Sequence, residues 1–148
     1  ISEVQPDEYA GLYLPGGHGT MWDFPLNDAL NDAVSALYAA GKPVAAICHG
    51  VAGFIGASKP DGSPLVAGKH LNSFTDAEEK AIKQTEHMPF LLESRLRRLG
   101  CVFQSADNFT EKVVEDGNII TGQNPASAET LGLKLLAQVR HFTASQAA

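Results

Sequence analysis

Short continuous apolar runs alternate along this chain with stretches whose apolar residues recur at helical spacing. Ala10-Gly11-Leu12-Tyr13-Leu14 and Val44-Ala45-Ala46-Ile47 have the length and composition of buried parallel strands. Between them Leu26, Leu30, Val34, Leu37 and Tyr38 mark one face of a helix that Gly41 and Pro43 end. Val51 to Ala57 is small and apolar, fit for a packed helix, and His70 to Phe74 reads as a strand. Thr75-Asp76-Ala77-Glu78 has capping-box form, so a helix starts there. Leu92, Leu96 and Leu99 predict another helix before Gly100, and Val102-Phe103 starts a further strand. Val113-Val114 and Ile119-Ile120 flank Glu115-Asp116-Gly117, a hairpin signal. Asn124-Pro125 caps a last helix with Leu131, Leu135 and Val139 on its buried side. From Thr143 to Ala148 the apolar period lapses, which predicts a loose tail.

Alternating strands and helices predict a single α/β domain with a mostly parallel sheet covered on both faces. Reactive groups in such sheets gather at the carboxyl ends of the strands. That rule places three segments on one rim: the loop Gly16-Gly17-His18-Gly19, the turn at Cys48-His49-Gly50, and the residues after Phe74.

Composition narrows the classes. The chain has 148 residues, 44% of them hydrophobic, enough for one core and no more. Net charge is −6, and apart from Arg95, Arg97 and Arg98 the basic residues are scattered, so no nucleic-acid partner is expected. No 18-residue apolar run exists to cross a membrane. The two cysteines, Cys48 and Cys101, neither form a disulfide framework nor show zinc spacing. A reduced, cytoplasmic setting without a metal is the expectation. The chain opens at Ile1 on a polar lead-in with no signal-peptide pattern.

The chemistry concentrates at Cys48. A thiol at a strand-to-helix turn is presented on a tight bend, where the next helix's free N–H groups favour thiolate. The backbone N–H after such a nucleophile can also serve an oxyanion. A buried core cysteine is the bland alternative; the strand before, His49-Gly50 after and the glycine-rich loop upstream favour the nucleophile.

Gly16-Gly17-His18-Gly19, Ala45-Ala46-Ile47-Cys48-His49-Gly50, Ser73 to Glu79 and Thr121-Gly122-Gln123-Asn124-Pro125 together resemble the ThiJ/PfpI superfamily. The nearest branch is that of the heat-shock chaperone and glyoxalase III-like proteins. The resemblance implies a flavodoxin-like three-layer α/β sandwich, the fold of class I glutamine amidotransferases. It implies Cys48 as nucleophile, His49 as its base partner and Glu79 as the acid that orients the histidine. Glu78, at the third helical position, is instead assigned to the helix cap. Gly17 and His49 would supply the oxyanion N–H pair, and His18 would line the substrate pocket.

Relatives carry an earlier strand-helix-strand portion that contributes a carboxylic acid to the cysteine. Against that pattern residues 1–148 correspond to the C-terminal two-thirds of one domain, with the first βαβ portion missing. The implied activity is cofactor-free and cysteine-dependent, on small reactive aldehydes or glycated proteins, in stress response. Methylglyoxal to lactate is the leading reaction. A PfpI-type amidase or peptidase and a Cys48-independent chaperone are the alternatives. A homodimer is expected, and the protein's own N-terminal fragment is a candidate partner.

Overall fold

A computed structural model describes residues 1–146. Four strands form the main sheet in the order β1 (Leu12–Leu14), β2 (Val44–Ile47), β6 (Ile119–Gly122) and β5 (Val113–Asp116). β1, β2 and β6 run parallel, with Leu14 opposite Ala46 and Ile47 opposite Gly122. β5 pairs antiparallel with β6 around Gly117, the hairpin that the sequence predicts. β3 (His70–Leu71) and β4 (Val102–Phe103) form a separate parallel pair.

Alternation along β2 explains the layering, because successive side chains point to opposite faces. Val44 and Ala46 join a core with Leu30, Val34 and Leu37 of α2 (Asp28–Ala39) on one face. Ala45 and Ile47 join Ile120 of β6 and Leu131 of α5 (Ala128–Gln146) on the other. All four β2 residues are buried, which a strand covered by helices on both faces requires. The sheet with its two helical layers is the flavodoxin-like sandwich.

Several boundaries differ from expectation. Leu26 lies outside α2 and is 89% exposed, because Asn27 takes the N-cap and accepts from the Leu30 N–H. The strand expected over His70–Phe74 stops at Leu71, since the Asn72 N–H leaves the ladder for the Thr121 hydroxyl. The packed helix expected from Val51 to Ala57 is a buried 3₁₀ helix spanning Cys48–Phe54. The tail expected to be loose from Thr143 is helical as far as Gln146, where the Thr143 and Ser145 hydroxyls bond back to the Val139 and Phe142 carbonyls. The last two positions of that tail lie outside the described residues. Three further short α-helices are α1 (Thr20–Asp23) after β1, α3 (Asp76–Ala81) after β3, and α4 (Leu92–Arg98) before β4.

Candidate active site

β2 ends by delivering Cys48 directly into the 3₁₀ helix, at a backbone φ of +57°. That left-handed conformation is costly for a residue with a Cβ and marks the sharp elbow that turns the thiol out of the sheet. Packing holds the elbow in place. A Cβ on Gly50 would fall 2.4 Å from the Pro15 carbonyl oxygen and 2.6 Å from that of Leu14, so the backbone after β1 lies directly on the elbow. A Cβ on Gly16 would meet the Cys48 Cβ at 2.9 Å. Glycines at these two positions therefore bring the β1 loop against the cysteine. The backbone N–H groups of Gly17 and His49 both act on the Cys48 sulfur, each lowering its pKa.

His49 is buried beside the thiol, its Nδ1 3.4 Å from Cys48 Sγ. Its Nε2 lies 2.6 Å from Glu79 Oε2, and the other carboxylate oxygen is 2.9 Å from His18 Nε2. A carboxylate only accepts, so each Nε2–H donates to Glu79 and the His49 Nδ1 lone pair faces the thiol. The His49 ring packs against both His18, centroids 4.1 Å apart, and Phe74, 4.6 Å apart, which restrains its plane. The His18 side chain is 40% exposed, so it stands between the buried relay and solvent. The five residues singled out in the sequence, Gly17, His18, Cys48, His49 and Glu79, thus meet in one place.

The electrostatics run opposite to the thiolate expectation. Burial pushes the Cys48 thiol up to about 11; the Glu78 and Glu79 charges add to this and outweigh the two N–H groups on the sulfur. Burial also holds the His49 imidazole below its usual value, against the pull of Glu79. A protonated thiol facing a neutral imidazole is arranged for proton transfer during attack, as in serine-type relays, with no standing thiolate.

Glu78 is more than a cap. It completes the expected capping box with Thr75, yet it is fully buried and its second oxygen takes three further donors. These are the Phe109 N–H at 2.8 Å, the Asn124 amide at 2.8 Å and the Gln123 amide at 3.2 Å. Burial alone would raise this carboxyl; the donors from Thr75, Phe109, Asn124 and Gln123 outweigh it and hold the group below its ordinary value. The network ties α3, and with it Glu79, to the end of β6 and to the loop at Phe109. The clue in the sequence is the run of polar residues Thr121, Gln123 and Asn124 closing an apolar strand. His18, His49 and Glu79 each offer a ligand atom, all within 4.8 Å of one another, a grouping that cysteine spacing could not reveal. By contrast, the cavity of about 540 Å³ between Trp22, Leu26, Ile55 and Phe90 contains no nucleophile.

A flavodoxin-like sheet with a cysteine elbow, an adjacent histidine and a buried acid defines a class of α/β proteins built around one thiol. Residues 1–138 match the DJ-1/PfpI family, and the chain belongs to it. It is 34% identical over 139 residues to the glutathione-independent glyoxalase HSP31 of Saccharomyces cerevisiae, covering 89% of this chain and 58% of that protein. It is 32% identical over 135 residues to the protein/nucleic acid deglycase HchA of Escherichia coli, covering 88% of this chain and 46% of that one. The crystal structure of glyoxalase III from Candida albicans superposes with a TM-score of 0.87 at 30% identity, covering 93% of this chain and 60% of that structure's. The chain thus spans about half to three-fifths of the length of these relatives. The name of the Escherichia coli relative gives no support to the expectation, drawn from net charge, that nucleic acid is not a partner. Among the described residues no helix is long and apolar enough to cross a membrane.

Proposed function

We propose that this chain carries the reactive cysteine of an enzyme that converts small 2-oxoaldehydes such as methylglyoxal to 2-hydroxy acids without an organic cofactor. The observation that carries the reading is the continuous relay from Cys48 through His49 to Glu79. Cys48 Sγ attacks the aldehyde carbon while the thiol proton passes to His49 Nδ1. Returned to the aldehyde oxygen, that proton completes a hemithioacetal. The hydrogen on the former aldehyde carbon then leaves as a proton and the neighbouring carbon gains one, through an enediol. One carbon is oxidised and the other reduced, so the product is a thioester of the 2-hydroxy acid and no outside oxidant enters. Water hydrolyses the thioester, with the Gly17 and His49 N–H groups on the oxyanion, and the thiol is restored. His49 is placed to move these protons, and His18 lines the approach.

Removal of early aldehyde adducts from proteins or nucleic acids is the second reading. The likeness to the bacterial deglycase supports it, and it uses the same thiol addition. A reducing, cytoplasmic setting suits both readings, since the thiol must stay unoxidised. The test is lactate formation from methylglyoxal by the full-length protein and its Cys48→Ala variant. Turnover should fall to background in a variant that melts normally. Retained turnover in the variant would overturn the role of Cys48, and no lactate from the full-length protein would overturn the activity and favour the Cys48-independent chaperone.

A further inference from the structure

We propose that His18, His49 and Glu79 form a binding site for a divalent transition metal of the zinc class, and that its occupancy switches the cysteine relay off. The inhibitory half of this inference rests on the reading above; the binding half stands apart from it. Two imidazoles and one carboxylate are a donor set that zinc accepts, leaving a fourth position for water or another ligand.

The separations are close to those a metal needs. Zinc–nitrogen bonds are about 2.0–2.1 Å and zinc–oxygen bonds about 2.0–2.2 Å, so tetrahedral neighbours stand roughly 3.3–3.5 Å apart. Here the two carboxylate–imidazole contacts are 2.6 and 2.9 Å, and all three donors lie within 4.8 Å of one another. Reaching that spacing moves the carboxylate roughly 0.4–0.9 Å away from the rings and brings the imidazoles, as much as 4.8 Å apart, closer by up to about 1.5 Å. His18 is the movable member: its side chain is 40% exposed, whereas those of His49 and Glu79 are 2% and 5% exposed. Its exposure also provides the entry path. The charge favours a cation, since Glu78 and Glu79 both act on His49.

Binding has a specific consequence for the proton. At present Nε2 of His49 carries the hydrogen and Nδ1 receives from the thiol. A metal on Nε2 needs that lone pair, so the ring proton moves to Nδ1, 3.4 Å from Cys48 Sγ. The imidazole then donates toward the sulfur and can no longer take its proton. The site would be inhibitory without the metal touching the cysteine.

Zinc binding is measured by calorimetry on the full-length protein carrying Cys48→Ser and Cys101→Ser, a form with no thiol and no turnover. One zinc per site is expected, with affinity at least about tenfold weaker after adding His18→Asn or Glu79→Gln. Cobalt(II) on the same background should give a visible ligand-field spectrum without the sulfur charge-transfer band. Loss of binding on removing the thiols would make Cys48 the ligand and overturn the proposal, as would binding unchanged by His18→Asn. His18 is half exposed, so that variant decides the question even if Glu79→Gln is unstable. In the protein with both cysteines, zinc should suppress turnover and a chelator should restore it. Zinc-insensitive turnover beside intact binding would refute the switch alone.

Discussion

Glu78 and Glu79 are neighbours of equal chemistry that serve different ends, and exchanging each for glutamine separates them. Glu79→Gln removes the charge that accepts from His49 at 2.6 Å and from His18 at 2.9 Å. A hydrogen bond to a charged acceptor is worth about 1.5–3 kcal/mol, which as lost stabilisation of the imidazolium corresponds to a turnover lower by about 10- to 150-fold. If the amide NH₂ faces His49, the ring proton is forced onto Nδ1 and the loss is larger. The melting temperature should move by only a few degrees, because the amide oxygen still accepts one of the two bonds. Sequence reasoning alone assigns Glu78→Gln a loss of a few tenths to about 1 kcal/mol through the helix cap. The structure revises that upward. Glu78 accepts from the Thr75 N–H and hydroxyl on one oxygen and from Phe109, Gln123 and Asn124 on the other. Glutamine keeps one oxygen and turns an NH₂ onto two or three donors, at about 1–3 kcal/mol for each buried group left unmatched. A total near 3 kcal/mol lowers the melting temperature of a domain this size by roughly 6–12 °C. Methylglyoxal kinetics paired with thermal melts measure both. Wild-type turnover in a folded Glu79→Gln protein would refute the relay. A Glu78→Gln protein that melts like wild type would refute the network.

Two further outcomes follow from the elbow. With Cys48 pushed up to about 11, roughly one thiol in 10⁴ is ionised at pH 7, so in a Cys101→Ser protein the iodoacetamide rate should climb about tenfold per pH unit from 7 to 10; a plateau below pH 9 would show a thiolate stabilised by something this geometry lacks. Gly50→Ala should cost about 2 kcal/mol or more in chemical denaturation, because its Cβ meets backbone oxygens that cannot move aside.

The legible parts of this protein were those written in local order. Strand β2 and the elbow could be read because four apolar residues run straight into Cys-His-Gly. Helix α3 could be read because Thr75 and Glu78 are three apart, the spacing that a capping box needs. Glu79 is legible from its place in a family motif and from the capping box that claims its neighbour Glu78; its burial is not. What stayed hidden depends on distance through space. His18 and Glu79 are 61 residues apart, and Glu78 and Asn124 are 46 apart, so no window along the chain shows either pair. The thiol's ionisation departs from the sequence-based expectation for a similar reason. A helix start near a cysteine is visible in sequence, but the depth of burial and the two acids facing it are not.

The backbone at Cys48 has a consequence for how this position can evolve. A side chain held at a φ of +57° costs of order 1–2 kcal/mol relative to glycine, which takes that conformation freely. Stability alone would therefore favour glycine there, and every generation that keeps a cysteine keeps a less stable chain. A lineage released from the chemistry would drift toward glycine at this site while its core stayed intact. A thiol on such a bend is thus held at a cost in stability that its reactivity, and not its packing, would have to justify.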